Sequence, residues 1–278
     1  KILDYFDENL SLEDLKDIFK NKKIHNNRHE IKSVLSLIVK ISNNFHHQAN
    51  FFNKIDQILK LIKSDIQKYF TNYEIFHFCK SNKRILLFFI EEQIVTIDEN
   101  IAIELASDKY QKMNLQYFSP EILPFKNAIK NACSMLKSDN VNFEEEECLE
   151  DMNAYYEDNE DNFENDDSNS ENSFELDILE KLPEHFYDKR KNGENDNYIC
   201  KLIQENSVID FIKHVNLYSI SLNSNIQSSI YETNSFLLKN KRTSLIEYSV
   251  FFGSKEIFVY LIQNKVDLTP SLWKYAIH

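Results

Sequence analysis

Glycine is nearly absent. Only Gly193 and Gly253 occur in 278 residues, and they are 60 positions apart. A P-loop, a dinucleotide G-x-G-x-x-G turn, a kinase glycine loop and a G-x-S-x-G elbow each need at least two close glycines. Their backbones approach a phosphate or make a strained turn, and a Cβ obstructs both. Those glycine-dependent enzyme classes are excluded. Long apolar runs are also missing. The longest, Ile85 to Ile90, is far short of the ~18 residues that a membrane-spanning helix needs. Cysteine is sparse, with Cys79, Cys133, Cys148 and Cys200 scattered along the chain and no C-x-x-C pair. That is too little for a secreted disulfide scaffold and fits reduced thiols in a cytoplasmic or nuclear protein. Each cysteine reads as a small buried hydrophobe. No signal peptide is visible, which carries little weight because the chain begins at Lys1 rather than Met.

Net positive charge is lacking as well. The formal charge is −13, but one segment accounts for it: residues 139–175 hold sixteen Asp or Glu and no Lys or Arg, and the remainder sums to +3. Phosphate-dominated nucleic-acid binding wants a broad basic face. Lys22-Lys23 and the "DKRKNG" stretch are too short for one. The acidic segment has too little apolar surface to offset chain entropy and is expected to be a disordered linker. Phe143, Tyr155, Tyr156, Phe163 and Phe174 punctuate it and would suit docking to a basic, apolar groove, although a solvated linker is the simpler reading.

What is present is helical periodicity, with 42% apolar residues to build cores. Ser11 to Asp14 reads as a capping box before a face of Leu12, Leu15, Ile18 and Phe19. A helix is expected over about 28–42, buried through Ile31, Val34, Leu35, Ile38 and Ile41. Another is expected over about 48–70, with a stripe from Phe51 to Tyr69 and lysines opposite. Thr71 with Glu74 suggests the next cap. The run at 85–90 suits a buried strand or helix, and its helical neighbours favour helix. Asp98 caps a short helix, and Ser119-Pro120 opens one that runs to about Leu136 across Pro124. Residues 1–138 thus form an α-helical domain.

The C-terminal part, 176–278, reads as short helix pairs. Asp196 or Asn197 caps a helix holding Ile199, Leu202 and Ile203. Asn206-Ser207 breaks it, and Ile209, Ile212 and Val215 follow. Residues 216–240 form a long connection with room for a loop or short helix. One pattern, Leu-x-x-Tyr-small, then occurs twice, 27 residues apart, at Leu245–Ser249 and Leu272–Ala276. Leu245, Tyr248, Ser249 and Phe252 make one short helix, which Gly253 ends in a left-handed turn. Ser254 caps a second, with Ile257, Phe258, Leu261 and Ile262 as its face. Val266-Asp267-Leu268 is an extended link. Thr269-Pro270 opens a third helix, with Leu272, Tyr275 and Ala276 inward. Helices this short are marginal alone and must stack. Phe251 and Trp273 are packing residues in preference to exposed anchors.

Thr243-x-Leu245, the small Ser249, Gly253 and the helix ending "YLIQNKVDL" resemble the ankyrin consensus. Ser244 and Ile246 replace its Pro and His, one extra residue precedes Gly253, and Lys265 stands at its second Gly. Together with "SNKRILLFFIEEQIVTIDE", "YFSPEILPF", "NGENDNYICKLI" and "LTPSLWKYAIH", the chain resembles a divergent ankyrin-repeat family, expanded in parasitic protists, that carries a domain of unknown function. The resemblance implies a solenoid that continues beyond His278, so this chain is expected to be truncated. It also implies a non-enzymatic protein-binding scaffold. Binding would fall on the tip around Lys265, Asp267 and Thr269, with Glu247 and Lys274 as further positions. Thr243, Leu245, Tyr248, Gly253, Leu261, Leu272 and Tyr275 would hold the scaffold. The alternative is a charge-dependent adaptor whose segment 139–175 captures a basic protein.

Metal and nucleophile readings are weak. His25 and His29 are spaced for one helix face but lack an H-E-x-x-H context, His46-His47 would diverge on a helix, and His77 with Cys79 has no partners at ligand spacing. No cysteine has a local activating signature. The expectation is no catalytic residue, no metal, no cofactor, no small-molecule ligand and no nucleic acid; the partner is another protein.

Overall fold

The computed structural model describes residues 5–6, 10–44, 51–107, 115–138, 182–240 and 242–277. The acidic segment 139–175, the stretch after it to 181, His46-His47, Cys148 and His278 lie outside them. The protein is mostly α-helical, and among the described residues the only bridge pairing is an isolated one between Asn225 and Ser244.

The N-terminal helices are α1 (Leu12–Asn21), α2 (Arg28–Asn44), α3 (Phe51–Tyr69), α4 (Asn72–Cys79), α5 (Lys83–Glu91) and α6 (Glu99–Ser107), followed by α7 (Ser119–Ile122) and α8 (Lys126–Ser138). Capping boxes start α1 at Ser11 with Asp14 and α4 at Thr71 with Glu74, each satisfying amides that the first turn leaves free. Asp98 accepts from the Ile101 amide at 2.9 Å. The inward stripes are those the 3.6 periodicity selects: Ile31 through Ile41 on α2 and Phe51 through Ile66 on α3 are buried in one continuous core. The 85–90 run is helical, and Ile85, Leu86, Leu87, Phe88 and Phe89 are all buried.

The expected single helix across Pro124 is divided. Phe118, not Ser119, is the N-cap of α7; the Ser119 hydroxyl donates to the Gln116 carbonyl. A 3-10 turn, Leu123–Phe125, then separates α7 from α8. Pro124 has no N–H to give to the carbonyl four residues back, and its ring crowds that carbonyl.

The C-terminal part has its own core. It comprises α9 (Phe186–Asn192), α10 (Tyr198–Gln204), α11 (Val208–Leu217), α12 (Ser235–Lys239), α13 (Leu245–Phe251), α14 (Lys255–Gln263) and α15 (Leu272–Ile277). Helices α10 and α11 pack as a pair, as do α13 and α14. The first members also pack on one another in the order α10, α13, α15, and α11 packs on α14. Two parallel rows result. Asn197 is the residue that caps α10, through the Ile199 amide at 3.1 Å.

Several side chains differ from expectation. On α11 the inward residues are Phe211 and Val215, and Ile209 is exposed. On α14, Ile257 and Leu261 are buried while Ile262 is exposed. On α15, Tyr275 is buried and Ala276 faces solvent. Phe251 is buried and Trp273 is exposed. These helices span two or three turns between neighbours on two sides, so the buried arc is set by which neighbours exist rather than by period alone. Ser254 stands at the N-cap of α14 but does not cap it, because its hydroxyl donates to the Ile203 carbonyl of the preceding pair.

Candidate functional site

The edge where the links between units meet is built from backbone inward. Gly253 (φ +64°) and Lys265 (φ +59°) both take the left-handed turn that ends a helix. After it, Val266 turns inward and is buried, which fixes the link, while Asp267 and Leu268 stay exposed. The Asp267 amide donates to Asn223 Oδ1 at 3.0 Å, tying this tip to the long connection before α12. That connection is anchored in turn: the Ile226 amide donates to the Thr243 carbonyl at 2.8 Å, and the Leu245 amide to the Ser224 carbonyl at 3.2 Å. The tips at 223 and 267 therefore lie side by side along one edge.

Lys265, Asp267 and Lys274 are exposed, and Thr269 is half-buried. Glu247 is not on the surface; it is 4% exposed. Its Oε2 accepts from the Ser244 amide and hydroxyl, both at 2.9 Å. Its Oε1 accepts from the hydroxyls of Thr269 and Ser271, both at 2.6 Å. Burial alone would raise this carboxyl, but the hydrogen bonds from Ser244, Ser271 and Thr269 outweigh it and hold it below the usual range. Glu247 is thus the clasp that holds the start of α15 against α13, and the Thr269 hydroxyl is engaged in it.

The expected scaffold residues are placed inward. Thr243, Leu245, Tyr248, Leu261 and Tyr275 are buried, and Leu272 is half-buried. Each tyrosine of the repeated pattern reaches back one unit. Tyr248 Oη accepts from Gln204 Nε2 at 2.8 Å, and Tyr275 Oη lies 3.2 Å from Thr243 Oγ1.

A second cluster lies where the two cores meet, built from residues far apart in the chain that no local motif connects. The "DKRKNG" stretch is helix α9, and its Arg190 is buried. Arg190 forks onto Glu121 at 2.8 and 3.0 Å and also donates to the Tyr117 carbonyl. Nearby, Arg84 lies over the Phe52 ring at 3.5 Å and donates to the Asn192 carbonyl at 2.7 Å. Gly193 (φ +69°) follows; a Cβ there would meet Thr233 Oγ1 at 3.0 Å and Arg84 Nη1 at 3.3 Å. A cavity of about 20 Å³, room for a water and no organic molecule, is lined by Arg84, Gly193, Glu194 and Glu232 among others. Glu232 is buried; desolvation pushes its carboxyl up to about 7, and the negative Glu194 adds to the effect.

The thiols of Cys79 and Cys200 are buried, and desolvation pushes both up, Cys200 to about 12. Neither is an activated nucleophile at neutral pH. His25 is held by Asp65 at 2.6 Å beside the first core. Among the described residues no three metal-ligating side chains gather, and no helix is long and apolar enough to cross a membrane. No family model, no curated protein and no solved structure matches the chain.

Proposed function

We propose that this chain is a non-enzymatic protein-interaction scaffold of the divergent ankyrin type, whose C-terminal helix pairs are units of a solenoid. The reading is supported above all by the tips at 223 and 267, which are aligned along one edge by the Asp267–Asn223 hydrogen bond and leave Lys265 and Asp267 free to meet a partner. Lys274 extends that surface, while Glu247 and Thr269 serve it from within. Rigid, side-by-side link tips on a row of short helices suit recognition of a folded or extended polypeptide. The competing reading places binding in the acidic segment, with its charge of −16.

Deletion of residues 139–175 separates the two. A photo-crosslinker at position 268, where Leu268 is exposed, identifies the partner of the full chain. If the tips bind, the same partner is captured at high salt and after the deletion, and Lys265→Glu with Asp267→Lys abolishes capture. Capture that needs the acidic segment and disappears with salt assigns the function to that segment instead.

A further inference from the structure

Four consecutive buried residues, Tyr231 to Asn234, lie between α11 and α12, and none of them belongs to either apolar core. The last three are polar, and they strap the two parts of the molecule together. Lys83 Nζ of α5 reaches the Glu232 carbonyl at 3.4 Å, and Asn234 Nδ2 donates to the Asn43 carbonyl of α2 at 3.1 Å. The Thr233 amide and hydroxyl both donate to the Gly193 carbonyl, at 3.2 and 2.6 Å, which closes the strap on the turn after α9. A segment held mainly by hydrogen bonds can lift away while each core keeps its own packing.

At the centre of the strap is a buried carboxyl. Glu232 Oε1 accepts from the Asn234 amide at 2.8 Å, and the side chain forms no ion pair among the described residues. The cations of α5 are close but engaged elsewhere. Arg84 lies over the Phe52 ring and donates to the Asn192 carbonyl, and Asp56 of α3 faces it. Lys83 bonds the backbone of Glu232 and lies over the Tyr117 ring at 5.2 Å. Glu194, after α9, lines the same water-sized cavity as Glu232. From α10 and α13 the groups facing Glu232 are the Cys200 thiol and the Tyr248 phenol; burial pushes both up, so both stay neutral near pH 7. A protonated Glu232 adds no charge here. An ionised one sets a second negative charge beside Glu194 in a space too small for water to screen it.

We propose that Glu232 is a proton-operated latch between the two cores: protonated, it lets residues 231–234 lie closed in the junction, and on losing its proton it drives that strap out and uncouples them. Opening returns the carboxyl to water, and so from about 7 to its ordinary value near 4.5. The sign follows. A group that binds its proton more tightly in the closed form favours closure at low pH. The open fraction is lowest below about pH 4.5, climbs about tenfold per pH unit between about 5 and 7, and levels off above that at about 300 times its acid value.

Amide hydrogen exchange of the full chain from about pH 5 to pH 8, corrected for the intrinsic exchange rate, tests this. The Thr233 amide is expected to exchange faster than amides inside α3 and α14 at every pH, and to gain rate with pH as described. Its rate should respond little to low concentrations of denaturant, because a local opening exposes little surface. In Glu232→Gln the Thr233 amide should keep its protection across the whole range. Exchange of Thr233 in step with the amides of α3 and α14, with the same denaturant dependence, overturns the proposal, because the strap then opens only when the whole chain unfolds. So does a Thr233 rate that ignores pH, or a pH response that persists in Glu232→Gln. The first two outcomes are read on the unsubstituted chain and do not depend on how the variant folds.

Discussion

Glu232 is the residue whose ionisation matters most to the junction of the two cores. Its carboxyl has an ordinary value near 4.5 and rises to about 7 on folding. A carboxyl that holds its proton more tightly when folded lends stability that is complete below about 4.5. That stability is lost as the pH climbs through about 7. The difference corresponds to roughly 3 kcal/mol. The melting temperature should therefore fall between about pH 5 and pH 8, and Glu232→Gln should flatten most of that fall in a thermal scan. The glutamine oxygen can still accept from the Asn234 amide, as Glu232 Oε1 does at 2.8 Å. A shallower slope should remain from Asp56, whose half-buried carboxyl is raised to about 6, by desolvation first. Arg84 and Lys83 are the cations facing Glu232 and Glu194, and they do not offset the burial.

Helix α14 shows how an element can owe its start to a neighbour. Ser254 is occupied elsewhere, so the amides of Glu256 and Ile257 donate to Asn206 Oδ1, at 3.2 and 3.4 Å, across the gap between pairs. Asn206 itself sits at φ +51°, a conformation that asparagine tolerates and alanine does not. Asn206→Gly removes the cap alone and should cost about 1 kcal/mol; Asn206→Ala removes the cap and adds backbone strain, for about 2 kcal/mol or more. Chemical denaturation of the two variants checks the order. Local rules made much of the fold legible. Ser11 and Thr71 each sit three residues before an acid and cap as that spacing implies, and the stripes of α2 and α3 follow their period. Illegible were features that depend on a distant residue. The capping of α14 by Asn206, the bonds from Thr269 and Ser271 to Glu247 and the burial of Arg190 against Glu121 all depend on partners far along the chain. At the proposed tip, Lys265 and Asp267 were legible as link residues, but nothing near Asn223 in sequence marks it as their neighbour.

In the whole molecule, two apolar cores meet through polar contacts. Arg190 on α9 binds Glu121 on α7, Asn234 Nδ2 donates to the Asn43 carbonyl at 3.1 Å, and Lys83 Nζ reaches the Glu232 carbonyl at 3.4 Å. Breaking a buried pair strands a charge, so Arg190→Ala should cost about 3–5 kcal/mol. Because each core is complete in itself, calorimetry of that variant should show two transitions where the parent shows one. Arg190→Lys should not restore it, since a single ammonium cannot fork onto both Glu121 oxygens. The backward reach of Tyr248 and Tyr275 gives the helix rows a polarity of assembly. Each later unit takes its register from one already laid down, so a nascent chain meets its anchors in the order of synthesis. Trimming from the carboxyl end sheds coils singly and leaves Thr243 with its bond to the Asn240 carbonyl. Loss of α10 instead strands a buried phenol, and the units downstream lose their template.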